Sequence, residues 1–263
     1  MTQIKSTSGT VLYEADVETV SVLLKAAVNT GMNLRHADLT HAKLHGAKLH
    51  GAKLHGAKLH GANLTHAELT HANLTGAELT GAKLHGTTLH GADLTHANLT
   101  GAKLHGATLH GANLTHAELT HANLTGAELT GAELTGAKLH GAKLHGTNLH
   151  GANLTHANLT GANLTHADLT GADLTGAELT GAKLHGAKLH GTNLRSAKGI
   201  VCLLVHDPRG YRAVAVQHET EWSIAAGCRW LSLHEARQHW GNDYIGDRYI
   251  GDMYLAAINA LDG

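Results

Sequence analysis

The sequence has few of the residues that fill and stiffen an ordinary globular core. Its 263 residues include no Phe, one Pro and two Cys, and aromatic residues make up only 3%. Two cysteines are too few for a disulfide framework or, by themselves, for a four-ligand zinc site. Acidic and basic residues nearly cancel, 21 against 20, so the net charge indicates neither a nucleic acid nor an anionic membrane as a partner.

Long apolar runs are missing as well. No stretch approaches the roughly 18 apolar residues that a transmembrane helix requires, and the first residues lack the apolar segment of a secretory signal. We therefore expect no membrane span and a cytoplasmic location.

A five-residue repeat fills the middle of the chain. Every fifth residue from Leu34 to Leu194 is Leu, which makes 33 leucines, and Ala or occasionally Thr stands two residues before each next Leu. The other positions are mostly Lys, Asn, Glu or Asp before Leu, then Thr or His, then Gly or His. A period of five fits neither an α-helix nor a plain strand, and it excludes the alternating three-and-four spacing of a coiled coil.

A period of five can form a polygon in which each pentad supplies one side and one corner. Leu and the small Ala would point inward, and the fifth position, often Gly, suits a corner that needs backbone freedom. Stacked coils would pair their backbones like parallel strands, roughly 4.8 Å apart. The arithmetic alone does not decide between three and four sides.

The segment Gly61-Ala-Asn-Leu-Thr-His-Ala-Glu-Leu-Thr70 closely resembles the A(D/N)LXX pattern of pentapeptide-repeat proteins. The resemblance covers about 165 residues and implies a mainly β fold, a right-handed quadrilateral β-helix of about eight coils. The segment up to Thr30-Gly-Met-Asn-Leu34 also resembles the opening of family members that are common in phages and prophages. Phe, which the family often has at the central position, is absent.

The repeat divides the chain into three parts, with small α+β caps expected at both ends of the β-helix. Residues 1–32 are predicted to form an N-terminal cap, residues 33–197 the β-helix and residues 198–263 a C-terminal cap. In the first part, two short strands between Gln3 and Ala15 precede a helix with Asp16 as its N-cap and Gly31 as its C-cap. Its apolar face follows helical spacing: Val20, Leu23, Leu24, Ala27 and Val28.

The C-terminal part contains all three Trp and both Cys. Residues 200–205, 211–216 and 222–226 are predicted strands, and the capping box from Ser232 to Glu235 is predicted to open a short helix. A final helix would present Ile250, Tyr254, Ala257, Ile258 and Leu261 on one face. We expect the aromatic surface to pack on the last coil or on a second subunit, which makes this part a possible oligomerisation domain and a homodimer a candidate assembly.

No pattern in the sequence predicts catalysis. There is no Walker loop, GxSxG or HExxH motif, and the acidic residues of the repeat stand singly. Four residues of the C-terminal part could supply a thiolate–imidazole pair: Cys202, Cys228, His206 and His218. No spacing supports that pairing, so we expect two reduced, buried thiols. The prediction is a protein that is not an enzyme and needs no cofactor.

Histidine is unusually abundant, with 22 of 26 between His36 and His190. In a four-sided coil, residues twenty apart would stack, which makes three pairs weak candidates for Zn²⁺, Ni²⁺ or Cu²⁺. These pairs are His85 with His105, His90 with His110, and His96 with His116. A closed site needs four ligands, and each ladder is only two deep.

Copying of repeat units offers a simpler explanation of the histidines. All ten Lys of the repeat stand in Lys-Leu-His, whereas every acid precedes Leu-Thr. Residues 61–80 also recur verbatim as residues 111–130, an offset that would move the copy to the opposite face. A binding site confined to one face would not survive such a duplication.

Sorting residues by their position within a twenty-residue coil separates the charges. One side carries five lysines and no acid: Lys43, Lys83, Lys103, Lys143 and Lys183. This side could attract a polyanion, although a solvated lysine surface is a common way to keep a protein soluble. Another side carries six successive threonines from Thr75 to Thr175, a row that could order water as in ice-binding solenoids, or simply suit a β surface.

The leading hypothesis is a non-enzymatic rigid rod that acts as a structural or protein-interaction module with an unknown partner, and nucleic acid is not expected to bind at neutral pH. The family resemblance implies an alternative, because some members mimic duplex DNA and bind DNA gyrase. Such mimicry needs an acidic surface. The repeat has 10 acids against 12 bases, a net charge of the wrong sign. Weak binding of a polyanion or metal through the Lys and His ladders is a further alternative.

Overall fold

The computed structural model describes residues 2–16, 19–31, 33–184, 186–189, 191–201, 213–217, 222–226, 229–232 and 238, and its main feature is a coil that repeats every twenty residues. Parallel bridges join Asn33 to Lys53, Lys53 to Asn73, and so on in the same steps as far as Asn193, and three parallel columns of bridges end at Lys183, Lys188 and Lys198. Twenty residues are four pentads, so the coil has four sides. The structure thereby decides what the five-residue period left open.

Each pentad is tied to both neighbouring coils through its backbone. In the pentad that contains Leu94, the Leu94 N–H donates to the next coil at 2.7 Å and the Asp93 N–H donates to the previous coil at 2.9 Å. The Ala97 N–H closes the corner on the Leu94 carbonyl at 2.9 Å. Because every side is so short, the ladder consists of single bridges rather than long strands.

An Asn or Asp before Leu satisfies the N–H of the residue after Leu. The Asp93 Oδ1 accepts from the Thr95 N–H at 3.0 Å, and Asn153 does the same for Thr155 at 3.0 Å. This Asx geometry needs a short side chain, which Lys and Glu do not have. The choice of Asn or Asp before Leu therefore has a local physical reason, which does not require Thr after Leu, because Asn148 accepts from the His150 N–H at 3.1 Å.

The fifth residue of the pentad turns the corner in the left-handed region. From Gly46 to Gly191, the corner glycines have φ between 56° and 68°, and nine histidines and Ser196 have φ between 56° and 58°. A positive φ at the third residue of a four-residue turn is typical of a type II turn. The expectation that Gly suits the corner is confirmed.

The interior of the coil is a stack of Leu with Ala. Leucines from Leu34 to Leu184 are 0–2% exposed. At three places a buried Thr replaces Ala, and its hydroxyl donates to a Leu carbonyl 23 residues earlier: Thr87, Thr147 and Thr192. Within the described residues no buried side-chain nitrogen or oxygen lacks a hydrogen-bond partner.

The N-terminal residues form a hairpin and a helix. Strands β1 (Thr2–Lys5) and β2 (Val11–Ala15) pair antiparallel, and helix α1 spans Val20–Asn29. The predicted N-cap, Asp16, is wrong: the helix starts later, and the Thr19 hydroxyl caps it by accepting from the Val22 N–H at 3.3 Å. Thr30 is the C-cap, and Gly31 is the residue after it, with φ of 68°.

The predicted apolar face of α1 is buried with the first coils of the rod. Leu23, Leu24 and Ala27 are fully buried in the same core cluster as the repeat leucines. The hairpin also joins the first coil through its backbone, because the Thr7 N–H donates to the His36 carbonyl at 2.8 Å.

The C-terminal part contains a four-stranded antiparallel sheet, in the order β3 (Ile200–Val201), β4 (Ala213–Gln217), β5 (Trp222–Ala226) and β6 (Arg229–Ser232). Three strands lie where they were predicted, and β6 was not predicted. Ser232, the predicted N-cap of a short helix, is the last residue of β6, which pairs with β5; residues 233–237, on which that helix would begin, lie outside the described residues. The final helix, both cysteines and their candidate histidine partners lie outside the described residues.

Candidate interaction surface

One side of the rod presents an uninterrupted column of Lys and Asn, here called the lysine side. Bridges run from Lys43 through Asn63 to Lys83 and on to Lys183, which confirms that the five lysines share one side. All five are exposed. No ion pair joins any of these lysines to another residue in the part of the chain that the structure describes.

A column of histidines lines the corner that follows the lysine side. Among the residues that the structure describes, this histidine corner consists of His45, His66, His85, His105, His145 and His166. Ring centroids are 5.7 Å apart between His45 and His66, and 6.4 Å apart between His85 and His105. His145 and His166 lie 5.6 Å apart in the same edge-on arrangement.

The burial and the charges of this corner affect the pKa of His85. Burial is the main cause that lowers the pKa of His85 below its ordinary value, and the neighbouring positive groups lower it further. Those groups are His105, Lys103, Lys83 and His66. The lysine side and the histidine corner therefore form one electrostatic unit.

The three histidine pairs named as metal candidates differ in the structure. His96 and His116 stack with centroids 5.3 Å apart, and His85 and His105 meet edge-on. His90 contacts His71 at 5.6 Å. Among the described residues no group of three or more His, Cys, Asp or Glu is placed to hold a metal ion. The two ring pairs can supply two ligands each, so the metal assignment stays a prediction.

Several ring contacts join histidines that are not twenty residues apart in the sequence, and these contacts were not predicted. Ring contacts also occur at offsets of 19 and 21, as between His36 and His55 and between His45 and His66. They arise because a ring in the fourth position of one pentad meets a ring in the fifth position of a neighbouring coil. Grouping histidines by corner, as the lysines were grouped by side, would have found the histidine corner.

Most corner histidines have a packing role as well. A Cβ built on Gly86 would stand 2.6 Å from the Nδ1 atom of His66, so the His66 ring occupies the space that a side chain at position 86 would need. Nine histidines have a positive φ, and eight of them, His66 included, lie in the same way against the Gly twenty residues later. The exception is His96, which stacks on His116.

The acids on the two sides next to the lysine side are already engaged. Glu68 contacts His50 and Glu78 contacts His60. Lysine partners hold three more: Glu118 with Lys138, Asp168 with Lys188 at 3.0 Å, and Glu178 with Lys198 at 2.7 Å. Glu128 accepts from the Asn148 amide at 2.9 Å, and Asp38 accepts from the Thr40 N–H at 3.1 Å.

The threonine row is bonded to its own side of the rod. The Thr155 hydroxyl donates to Asn153, and the Thr175 hydroxyl donates to Asp173, both at 2.6 Å. The hydrogen bonds from Thr175 lower the pKa of Asp173. Hydroxyls committed to neighbouring oxygens are a poor array for ordering water, which weakens the ice-binding hypothesis.

The concave features of the rod offer little chemistry. A surface groove is lined by Asn33, Arg35, Lys53, His55 and Asn73. It combines no nucleophile with a general base. No helix within the described ranges is long and apolar enough to cross a membrane.

The pentapeptide-repeat family model matches the repeat in eight copies, at residues 24–56, 57–95, 92–131, 117–156, 132–171 and 157–196. The chain belongs to the pentapeptide-repeat family. The members are generally structural or mediate interactions, so the chain is a repeat protein of the interaction-module type. No curated protein is significantly similar to the chain.

Solved structures show the same family. HetL, involved in heterocyst differentiation regulation in the cyanobacterium Nostoc sp., is 33% identical, and the match covers 69% of this chain and 97% of HetL with a TM-score of 0.34. A trypsin-treated form of QnrB1, a plasmid-mediated fluoroquinolone resistance protein, is 18% identical, and the match covers 63% of this chain and 87% of QnrB1 with a TM-score of 0.51. Family membership and the fold shared with QnrB1 imply that the coil is a right-handed quadrilateral β-helix.

Proposed function

We propose that this pentapeptide-repeat protein is a non-enzymatic rigid rod that presents flat sides to a protein partner. The observation that carries the proposal is the unbroken ladder of bridges from Asn33 to Lys198. A ladder in which every coil is bonded to the next, around a close-packed Leu interior, resists bending. Side chains that repeat at one coil spacing along a flat side suit a long, regular contact.

The two ends complete the proposed rod of about eight coils. The hairpin and helix α1 would cap the first coil, since Ile4 and Leu24 share its core. The C-terminal part would cap the last coil or join two copies as a homodimer. The division at residues 32 and 197 and the cytoplasmic location belong to the same proposal.

A footprint on the full-length protein tests the interaction proposal. A partner that lies along one side should protect residues twenty apart in several consecutive coils from hydroxyl-radical oxidation. The expected pattern is protection on one side with the opposite side unchanged. Protection confined to residues 199–263, with none on the rod, would show that the rod is only a spacer.

The gyrase alternative is supported by the fold that the chain shares with QnrB1, and by nothing in its charge. A DNA mimic needs columns of acids, whereas here one whole side carries lysines and asparagines and no acid. The acids on the neighbouring sides are engaged by His, Lys, Asn or backbone N–H groups. A supercoiling assay distinguishes the two functions.

A further inference from the structure

We propose that the lysine side and the histidine corner together form a pH-gated binding surface for a single strand of nucleic acid, held by its phosphates. This inference goes beyond the proposed protein-interaction function and rests on separate residues. It would add a second kind of ligand to the rod.

The first step is the geometry of the charges. Lys43 and Lys183 are seven coils apart, which corresponds to about 34 Å at the spacing of paired strands. The lysines alone supply one positive charge per about 7 Å of that column. With the six described histidines of the corner protonated, the spacing falls to about 3 Å, which more than doubles the positive charge per unit length of the column.

The second step is that no acid cancels this surface. Neither the lysine side nor the histidine corner contains Asp or Glu. The side beyond the corner carries Glu68, Glu128 and Asp168, whose partners are His50, Asn148 and Lys188. The same side also carries Lys48 and is bordered at its far corner by further histidines: His50, His71, His90, His110 and His150.

The side before the lysine side is balanced in the same way. Its acids Glu78, Glu118 and Glu178 contact His60, Lys138 and Lys198. Asp38 is bonded to Thr40, and Lys58 adds a positive charge. The corner between this side and the lysine side carries His41, His60, His121 and His140. Protonation therefore strengthens the field of the lysine side from both corners.

The third step is the choice of a single strand. A straight column can follow one flexible phosphate chain, whereas each strand of a duplex winds away from a straight edge. The surface has no aromatic side chain of Phe, Tyr or Trp to stack on a base and no Arg to read one, so binding would depend on phosphates and not on sequence. Lys contacts phosphate as a point charge, which suits this mode.

The test measures the affinity of the full-length protein for fluorescein-labelled oligothymidylate of about 30 nucleotides by anisotropy, at pH of about 5.5 and 7.5. We expect at least about tenfold tighter binding at the lower pH, since His titrates between these values. The slope of log K against log salt should be no steeper than about −3.5 at the higher pH, where at most five lysines contact phosphates. It should steepen toward about −8 at the lower pH, where lysines and histidines together make at most eleven contacts. Equal affinity and slope at both pH values would overturn the gating.

Two deletions provide a matched pair, since neither removes a lysine. Deleting residues 111–130 removes one whole coil and keeps all five lysines on one side. Deleting residues 111–120 removes half a coil and moves Lys143 and Lys183 to the side opposite Lys43, Lys83 and Lys103. We expect the salt slope to survive the first deletion and to fall by about 40% in the second, with strand-type circular dichroism confirming that both fold.

Substitutions separate this surface from general positive charge. Lys103→Gln with Lys143→Gln should weaken binding at both pH values, whereas Lys48→Gln with Lys53→Gln should change it little. Replacing His45, His105 and His145 by Gln should remove part of the pH dependence of the affinity and leave the affinity at the higher pH unchanged. Equal effects of the two lysine pairs would overturn the assignment to one side. Tight binding of inorganic polyphosphate or duplex DNA without oligothymidylate binding would overturn the single strand as the ligand.

Discussion

His116 covers Gly136 in the next coil: a Cβ built on Gly136 would stand 2.5 Å from the His116 Nδ1. His116 is itself stacked on His96, with centroids 5.3 Å apart, so a ring that turned away from Gly136 would lose that stacking. The corner residue of one coil therefore restricts the corner residue of the next.

Replacing Gly136 by Ala should destabilise the rod for two reasons. Its φ of +64° costs an L residue about 1–2 kcal/mol, and the new Cβ displaces the His116 ring. Gly126→Ala is the matched control, because it has φ of +61° and nothing within 4 Å. Urea unfolding should show a larger loss for Gly136→Ala than for Gly126→Ala. The difference should vanish in a His116→Gly background, and its persistence there would contradict the contact.

Leu114 provides a test of the core, since it is fully buried in the middle of the rod. Leu114→Ala should lower the free energy of unfolding by roughly 2–5 kcal/mol, because the stacked interior cannot close the cavity. Chemical denaturation followed by circular dichroism measures the loss. An unchanged midpoint, or a helix-dominated spectrum of the native protein, would be incompatible with this fold.

The inward Leu and Ala and the Gly corners were predictable because size and φ leave few alternatives at those positions. The number of sides came from the family resemblance, since a five-residue period is equally consistent with three sides. The His90–His71 contact was not predicted, because it depends on ring direction at the fourth and fifth positions. Strand β6 was not predicted because a segment of four residues, Arg229–Ser232, gives little periodic signal, and its pairing with β5 is what defines it.

A gyrase supercoiling assay should show neither inhibition nor protection from a quinolone at stoichiometric protein. The reason is electrostatic: the repeat carries 12 bases against 10 acids, and its lysine side has no acid, so it does not reproduce the charge of duplex DNA. Inhibition at submicromolar protein would show that shape alone is sufficient and would favour the DNA-mimic function.

Zinc should leave the melting temperature nearly unchanged at pH of about 7.5. The described histidines meet in pairs, and two ligands are too few for a closed zinc site. Differential scanning fluorimetry with Zn²⁺, with and without chelator, measures the effect. A large stabilisation that chelator reverses, and that His96→Gln removes, would instead support the His96–His116 pair as a metal site.

Protonation of His85 should destabilise the folded rod. Burial and the positive charges of His105, Lys103, Lys83 and His66 hold the pKa of His85 below its ordinary value of 6.5. Between the unfolded and the folded pKa, the unfolded chain binds more protons, so the free energy of unfolding decreases as the pH falls through 6.5 and continues to decrease down to the folded pKa.

We expect a lower melting temperature at pH of about 5.5 than at 7.5 in low salt, and a smaller difference in high salt, where the repulsion is screened. His85→Gln should reduce the difference more than His150→Gln, which replaces an exposed histidine at the same position of its pentad. Equal or greater stability at the lower pH would contradict this prediction. It would mean that pairing with carboxylates outweighs the repulsion among the positive groups of the histidine corner.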